Sequence, residues 1–228
     1  MRVFRPSRAP GLILLCAALS GAMLTGCAAA TAATGSSGAE SQRNPVIVTI
    51  GDSIMSGHGL DDGEDWPSML SQRTGVSIDN VACSGAGFLA VGTCGQDFRG
   101  LVDAAVKDDP TLVIVQGSDN DVGRSDADIT AATKRTVDAI HRAMPRAELV
   151  GLSTLWDPSE PKPAEIDVSS AAVRAAVTAL GGRYIDIGQP LRGDPSLLQD
   201  DDEHPTVAGQ QRLVHVIRVE LEHAGYRL

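Results

Sequence analysis

Two short stretches of the 228-residue chain hold side chains suited to nucleophilic attack on a carbonyl. The first is Gly51-Asp52-Ser53-Ile54-Met55-Ser56-Gly57-His58-Gly59, in which Ser53 stands where an extended run gives way to a glycine-rich turn. A serine hydroxyl is a poor nucleophile unless a base takes its proton and donors hold the charge that develops on the attacked oxygen. The second is Asp200-Asp201-Asp202-Glu203-His204-Pro205. An aspartate three residues ahead of a histidine can curl back on one turn and accept from the ring Nδ1–H, leaving Nε2 free to face a hydroxyl. Of the five histidines, His141 and His204 have an aspartate at this spacing, and only His204 has it in a loop, since Asp138 and His141 fall inside a predicted helix. Two other readings compete: a histidine that caps or packs at a helix start, and a metal site built on the Asp200–Glu203 run. The acids are consecutive and no second histidine is paired with them, which weighs against a metal. No Cys-x-x-Cys or His-rich spacing suggests zinc.

These residues need a scaffold, and the hydrophobic pattern describes one. Pro45–Ile50 is rich in β-branched residues and reads as a buried strand. Further strands are predicted at Val76–Val81, Leu112–Val115, Leu149–Leu152 and Tyr184–Ile187. Helices are predicted around Trp66–Arg73, Phe98–Lys107, Asp126–Met144 and Val168–Leu180, and from Val207 onward, where Leu213, Ile217, Leu221 and Ala224 form a stripe. Strands alternating with helices imply an α/β fold, a three-layer α/β/α sandwich around a five-stranded parallel sheet. Three strands end in small polar residues: Gly51-Asp52-Ser53, Cys83-Ser84-Gly85-Ala86-Gly87 and Gly117-Ser118-Asp119-Asn120-Asp121. They converge on the carboxyl edge of the sheet, where open α/β sheets bind ligands.

Gly51-Asp52-Ser53, Gly85, Asn120-Asp121 and Asp201-x-x-His204-Pro205, in that order, resemble the four sequence blocks of the SGNH (GDSL) hydrolase superfamily. The likeness extends over nearly all of residues 45–228. It implies a flavodoxin-like sheet and an esterase mechanism without cofactor or metal. Ser53 is then the nucleophile, His204 the base and Asp201 its orienter. The backbone N–H groups of Ser53 and Gly85 and the side chain of Asn120 form the oxyanion hole. The same parts follow from the chemistry, since glycine lets the main chain approach an oxyanion and a neutral amide donates without needing a proton. Two positions depart from the pattern. Ser118 occupies a place the family gives to glycine, which questions the geometry of that loop, and Ile54 replaces a common leucine. No Gly-x-Ser-x-Gly surrounds Ser53, so an α/β-hydrolase elbow is the poorer match.

Around these residues, Asp52 is expected to hold the turn, and Asp119 and Asp121 to brace the Asn120 loop. His58 is a loop residue within possible reach of substrate, and Trp156 a candidate wall of the acyl pocket. The chain has only two Trp, two Tyr and three Phe, and the loops at the active edge are rich in Gly, Asp and Ser. Phe88, Leu89 and Val91, with Met55 and Trp156 nearby, could line a shallow pocket, so short acyl (including O-acetyl) esters of small molecules or glycans are the expected substrates. A lipase or acyl-thioesterase for longer chains is the alternative. From a different class, a surface lipoprotein could bind a glycan or lipid without turnover, although such a binder has no use for a base aimed at a serine.

The amino terminus carries Arg2, Arg5 and Arg8, then the apolar run Gly11–Leu19, then Leu24-Thr25-Gly26-Cys27. Basic, apolar and small-residue segments in this order describe a secretory signal over residues 1–26, too short in its apolar part to span a bilayer comfortably. The last four residues resemble a bacterial lipobox, which makes Cys27 the lipidated first residue of an extracytoplasmic protein anchored to the bacterial membrane. Residues 27–44 read as a flexible tether and residues 45–228 as one catalytic domain. Loss of the three arginines leaves 16 basic against 29 acidic residues, a formal charge of −13 that disfavours nucleic acid as a partner. Cys16 leaves with the signal and Cys27 takes lipid, so Cys83 and Cys94 remain as a disulfide pair outside the cytoplasm.

Overall fold

The computed structural model describes residues 46–228. The proposed signal (1–26), the lipidation site Cys27 and the tether (27–44) lie outside the described residues.

Five strands form one sheet: β1 (Val46–Ile50), β2 (Ser77–Asn80), β3 (Leu112–Gln116), β4 (Glu148–Leu152) and β5 (Arg183–Ile185). The order across the sheet is β2-β1-β3-β4-β5 and every pairing is parallel. Six helices accompany it: α1 (Ser53–Ser56), α2 (Trp66–Thr74), α3 (Val102–Ala105), α4 (Asp126–Ala143), α5 (Ala164–Ala179) and α6 (Val207–His223). Side chains alternate across the sheet with period two. Ile47, Leu112, Ile114, Val150 and Leu152 meet α2 and α6 in one apolar cluster. Val48, Ile50, Val113, Val115 and Leu149 meet α3, α4 and α5 in another. Two cores on opposite faces make the expected three layers.

The chain leaves β1 for β2 on one side and reaches β3 on the other, so the topological switch point falls between β1 and β3. In register, Ile50 lies beside Val115. The turns that start at Gly51 and Gly117 therefore emerge side by side, and the fold puts Ser53 at the ligand-binding edge by its connectivity alone.

The helix expected over Phe98–Lys107 is a correction. Only Val102–Ala105 is α-helical, continuing as a 3₁₀ turn through Asp108. Phe98 donates its N–H to Gly87 O at 2.9 Å and packs its ring edge-on against Phe88 at 5.1 Å, which ties the segment to the neighbouring loop instead of a helical ladder. α5 begins at Ala164, four residues earlier than expected, with Pro163 before it and Glu165 and Asp167 in its first turn, where the helix dipole favours acids. β5 stops at Ile185 because the N–H of Ile187 is taken by Ser153 Oγ, 3.0 Å away, rather than by a strand partner.

Candidate active site

Asp52 builds the turn that holds Ser53. Its Oδ1 accepts from Ile54 N–H at 3.0 Å and its carbonyl from Ser56 N–H at 2.9 Å, so α1 is a single capped turn. Gly57, at φ 71°, ends it in the left-handed conformation that glycine tolerates best. The carbonyls of the turn are satisfied from afar. The buried amide of Gln210 on α6 donates to Ile54 O at 2.8 Å and accepts from Trp66 N–H, while Asn80 donates to Met55 O at 2.9 Å. Ser53 is 5% exposed. Its N–H, at the first position of the turn, has no acceptor one helical turn back.

Gly85 sits at φ 78° in the loop after β2, and its N–H is likewise uncommitted among the described residues. That loop is closed by a disulfide between Cys83 and Cys94, with Cα atoms 6.1 Å apart, as the cysteine inventory predicts. Asp121 braces it from the next strand's turn by accepting from the N–H groups of Phe88, Leu89 and Ala90 at 2.8–3.0 Å. The brace is thus directed at the Gly85 loop, not at the Asn120 loop as the sequence suggests. Gly87 is required for it, because a Cβ there would fall 2.5 Å from Asp121 Oδ1.

Ser118 replaces the expected glycine without strain, since its backbone is extended at φ −123°, ψ 147°. Its hydroxyl joins two blocks. It accepts from Asn120 N–H at 3.1 Å and from Asn120 Nδ2 at 2.8 Å, and donates to the Asp52 carboxylate. Asn120 Nδ2 also donates to Ala86 O at 3.1 Å, so both amide protons are engaged and the side chain lies between the β1 and β2 loops.

Asp201 and His204 are joined as their spacing predicts. His204 Nδ1–H donates to Asp201 Oδ2 at 2.7 Å, while Asp201 Oδ1 accepts the backbone N–H groups of His204 at 3.0 Å and Glu203 at 3.1 Å. A carboxylate only accepts, so the bond fixes the proton on Nδ1 and leaves Nε2 with its lone pair. Partial burial pushes the Asp201 carboxyl up, but its hydrogen bonds with His204 and Glu203 together outweigh this and hold it down at about 2. Asp202 is turned away, at φ 60°, and accepts from Ser159 N–H and Oγ–H. Among the described residues no group of three or more His, Cys, Asp or Glu is arranged to hold a metal.

Three buried carboxyl groups lie close together by the site, Asp52, Asp119 and Asp157, and of these sequence reasoning passes over Asp157. Asp157, in the loop after β4, is 1% exposed and neither carboxyl oxygen has a hydrogen-bond partner. Burial, with the charges of Asp52 and Glu203 adding to it, pushes it up to about 7. Burial, then Asp52, Glu203 and Asp157, pushes Asp119 up to about 8. Asp52 is raised by burial too, against its hydrogen bonds and the charge of His204. A carboxyl raised in the fold keeps its proton where the unfolded chain has lost it, so stability is full below the unfolded value near 3.8 and falls as pH rises toward 7–8. Asp157→Asn removes one such group. Its stability relative to the unsubstituted protein is expected to improve between about pH 4 and pH 7, by at most about 4 kcal/mol, and to level off above. Urea titrations at several pH values measure this, and parallel stability curves for the two proteins would refute it.

Residues 49–212 match the model of the GDSL-like lipase/acylhydrolase family, well over half the chain. The chain belongs to this family. The GDSL fold is repeated among solved structures at low identity. The psychrotrophic esterase EstA from Pseudoalteromonas sp. superimposes with a TM-score of 0.65 at 17% identity, covering 79% of this chain and 98% of that one. A family two carbohydrate esterase from Clostridium thermocellum, solved with cellohexaose, gives 0.61 at 18% identity, covering 79% of this chain and 64% of that one. A GDSL lipase of Mycobacterium tuberculosis is 30% identical over 192 residues, 76% of this chain and 80% of the relative. This GDSL protein is a hydrolase of the acylhydrolase class, with a fold of the SGNH superfamily.

Proposed function

We propose that the protein is a serine esterase that removes short acyl groups, O-acetyl among them, from a small alcohol or a sugar through an acyl-Ser53 intermediate. The observation that carries this reading is the 2.7 Å bond from His204 Nδ1–H to Asp201 Oδ2, which leaves Nε2 free to act as a base toward Ser53. Ser53 Oγ attacks the carbonyl carbon while Nε2 takes its proton. The oxyanion is received by the N–H groups of Ser53 and Gly85 and by Asn120, which shares one of its two engaged amide protons. The alcohol leaves with the proton from Nε2. Water then attacks the acyl-serine with His204 as base, releasing the acid and restoring the hydroxyl.

The acyl pocket is small. Phe88 and Met55, both expected to line it, are buried in the two cores, which leaves Leu89, the exposed Val91 and the half-buried Trp156 as its apolar surface. The Trp156 indole N–H is spent on Glu160 O at 3.1 Å, closing its own loop. With so little lining, kcat/KM is expected to be highest for acetyl to butyryl esters and to decline by about eight carbons. Each methylene that finds a pocket contributes about 0.8 kcal/mol, so a lined tunnel would instead give a steady rise with chain length. A 4-nitrophenyl ester series from acetyl to decanoyl decides between them. A rise through octanoyl and decanoyl would move the assignment to a lipase or acyl-thioesterase.

A further inference from the structure

His58 lies at a junction between the loops that carry the chemistry. Its backbone N–H donates to Ser53 O at 3.0 Å, and its carbonyl accepts from Gln199 Nε2 at 2.7 Å. Gln199 is itself bound to the histidine loop, donating its N–H to His204 O at 2.7 Å. The ring reaches the third loop, with Nδ1 3.5 Å from the Ser84 hydroxyl beside Gly85. Ser84 in turn is 2.9 Å from Ser56 Oγ in the nucleophile turn. Finally, the His58 ring lies against the His204 ring, centroids 4.5 Å apart and planes tilted by 44°.

We propose that His58 is a positioning residue for the base: its ring packs on the imidazole of His204 and restricts the swing that the single Asp201 bond leaves open. A hydrogen bond at Nδ1 fixes one edge of the His204 ring but still allows rotation about that bond, which would carry Nε2 off the line to Ser53 Oγ. A second ring against its face removes that freedom. The backbone bonds of His58 hold its own Cα fixed relative to both Ser53 and the His204 loop, so the ring contact transmits the position of one to the other. Misplacement of a reacting group by about an ångström can cost about 10²-fold in rate. This role rests on the esterase reading of Ser53 and His204.

Three variants test it, each retaining the two backbone hydrogen bonds. His58→Ala removes the ring, and kcat is expected to fall about tenfold or more with KM unchanged. His58→Phe keeps a flat ring of similar reach but loses the bond to Ser84, and most of kcat is expected to return. His58→Asn can keep a polar contact with Ser84 but has no ring face, and is expected to resemble alanine. Thermal melts of all three accompany the kinetics, so that a loss of kcat at unchanged melting temperature is separated from a loosened fold. Rescue by asparagine and not by phenylalanine, kcat unchanged in the alanine variant, or a loss confined to KM would each overturn the proposal. Labelling of the unsubstituted protein by a fluorophosphonate reports separately on the esterase reading. A labelled Ser53 with an indifferent His58 defeats only the positioning role, whereas an unlabelled, inactive parent defeats the esterase.

Discussion

Ser53→Ala is expected to abolish ester hydrolysis and fluorophosphonate labelling together, lowering kcat by on the order of 10⁴-fold or more while leaving the fold intact. Among the described residues, the hydrogen bonds of this residue run through its backbone: its carbonyl accepts from His58 N–H at 3.0 Å and from Ser56 Oγ–H at 3.2 Å, and Asp52, not Ser53, caps the turn. Loss of the hydroxyl therefore removes no hydrogen bond that holds the turn, and the change in stability is expected to stay within about 1 kcal/mol. Backbone donors remain in place in the variant, so slow hydrolysis above the uncatalysed rate is the expected residue of activity. Ser56 and Ser84 are nearby hydroxyls joined to each other at 2.9 Å, and they serve as controls. If Ser53→Ala keeps near-normal turnover, or if labelling moves to Ser56 or Ser84, the nucleophile is misassigned.

How far the sequence reaches depends on the range of the interaction. The strands are legible because Val46–Val48 and Leu112–Val115 are runs of apolar, mostly β-branched residues, as strands buried on both faces tend to be. The Asp201–His204 bond is legible because three residues of separation fix it within one turn. The helix at Phe98–Lys107 is misread because Phe98 answers to Gly87 and Phe88, contacts that no local propensity registers. For the same reason Gln210 is invisible from the sequence: its amide joins Trp66 and Ile54, 144 and 156 residues away. Asp157 looks like an ordinary loop acid beside a proline, and only burial reveals a carboxyl stripped of partners. His58 carries a weak signal, a histidine five residues after the candidate nucleophile, and its meaning depends on the ring it meets across the site. The lesson from Ser118 runs the other way. A residue that breaks a sequence pattern is accommodated because its φ is negative, and its hydroxyl joins Asp52 to Asn120.

Asp201→Asn is expected to damage catalysis more than Asp201→Ala, an ordering that isolates the orienting role from simple loss of charge. In the native arrangement Oδ1 accepts two backbone N–H groups and Oδ2 accepts the ring proton. Asparagine offers one acceptor oxygen. If that oxygen stays with the backbone, the NH₂ group meets Nδ1, which must then accept. The imidazole proton is driven to Nε2, the nitrogen that has to take the proton of Ser53, and a loss of about 10⁴-fold in kcat is the expected result. Alanine leaves the tautomer free, so part of the population keeps a usable Nε2 and more residual activity survives, although less than in the parent. His204→Ala, which removes the base itself, is expected to match Ser53→Ala. Since Asp201 is held down to about 2, it stays ionised through the mildly acid range. Its own contribution to stability is present above about 3.8 and lost only as pH falls through about 2. A loss of activity between about pH 4 and neutrality therefore does not arise from Asp201. Asp200→Ala and Asp202→Ala complete the series: Asp200 is exposed, and Asp202 is engaged with Ser159. If either of these variants loses turnover while Asp201→Asn turns over normally, the carboxylate that orients His204 is not Asp201.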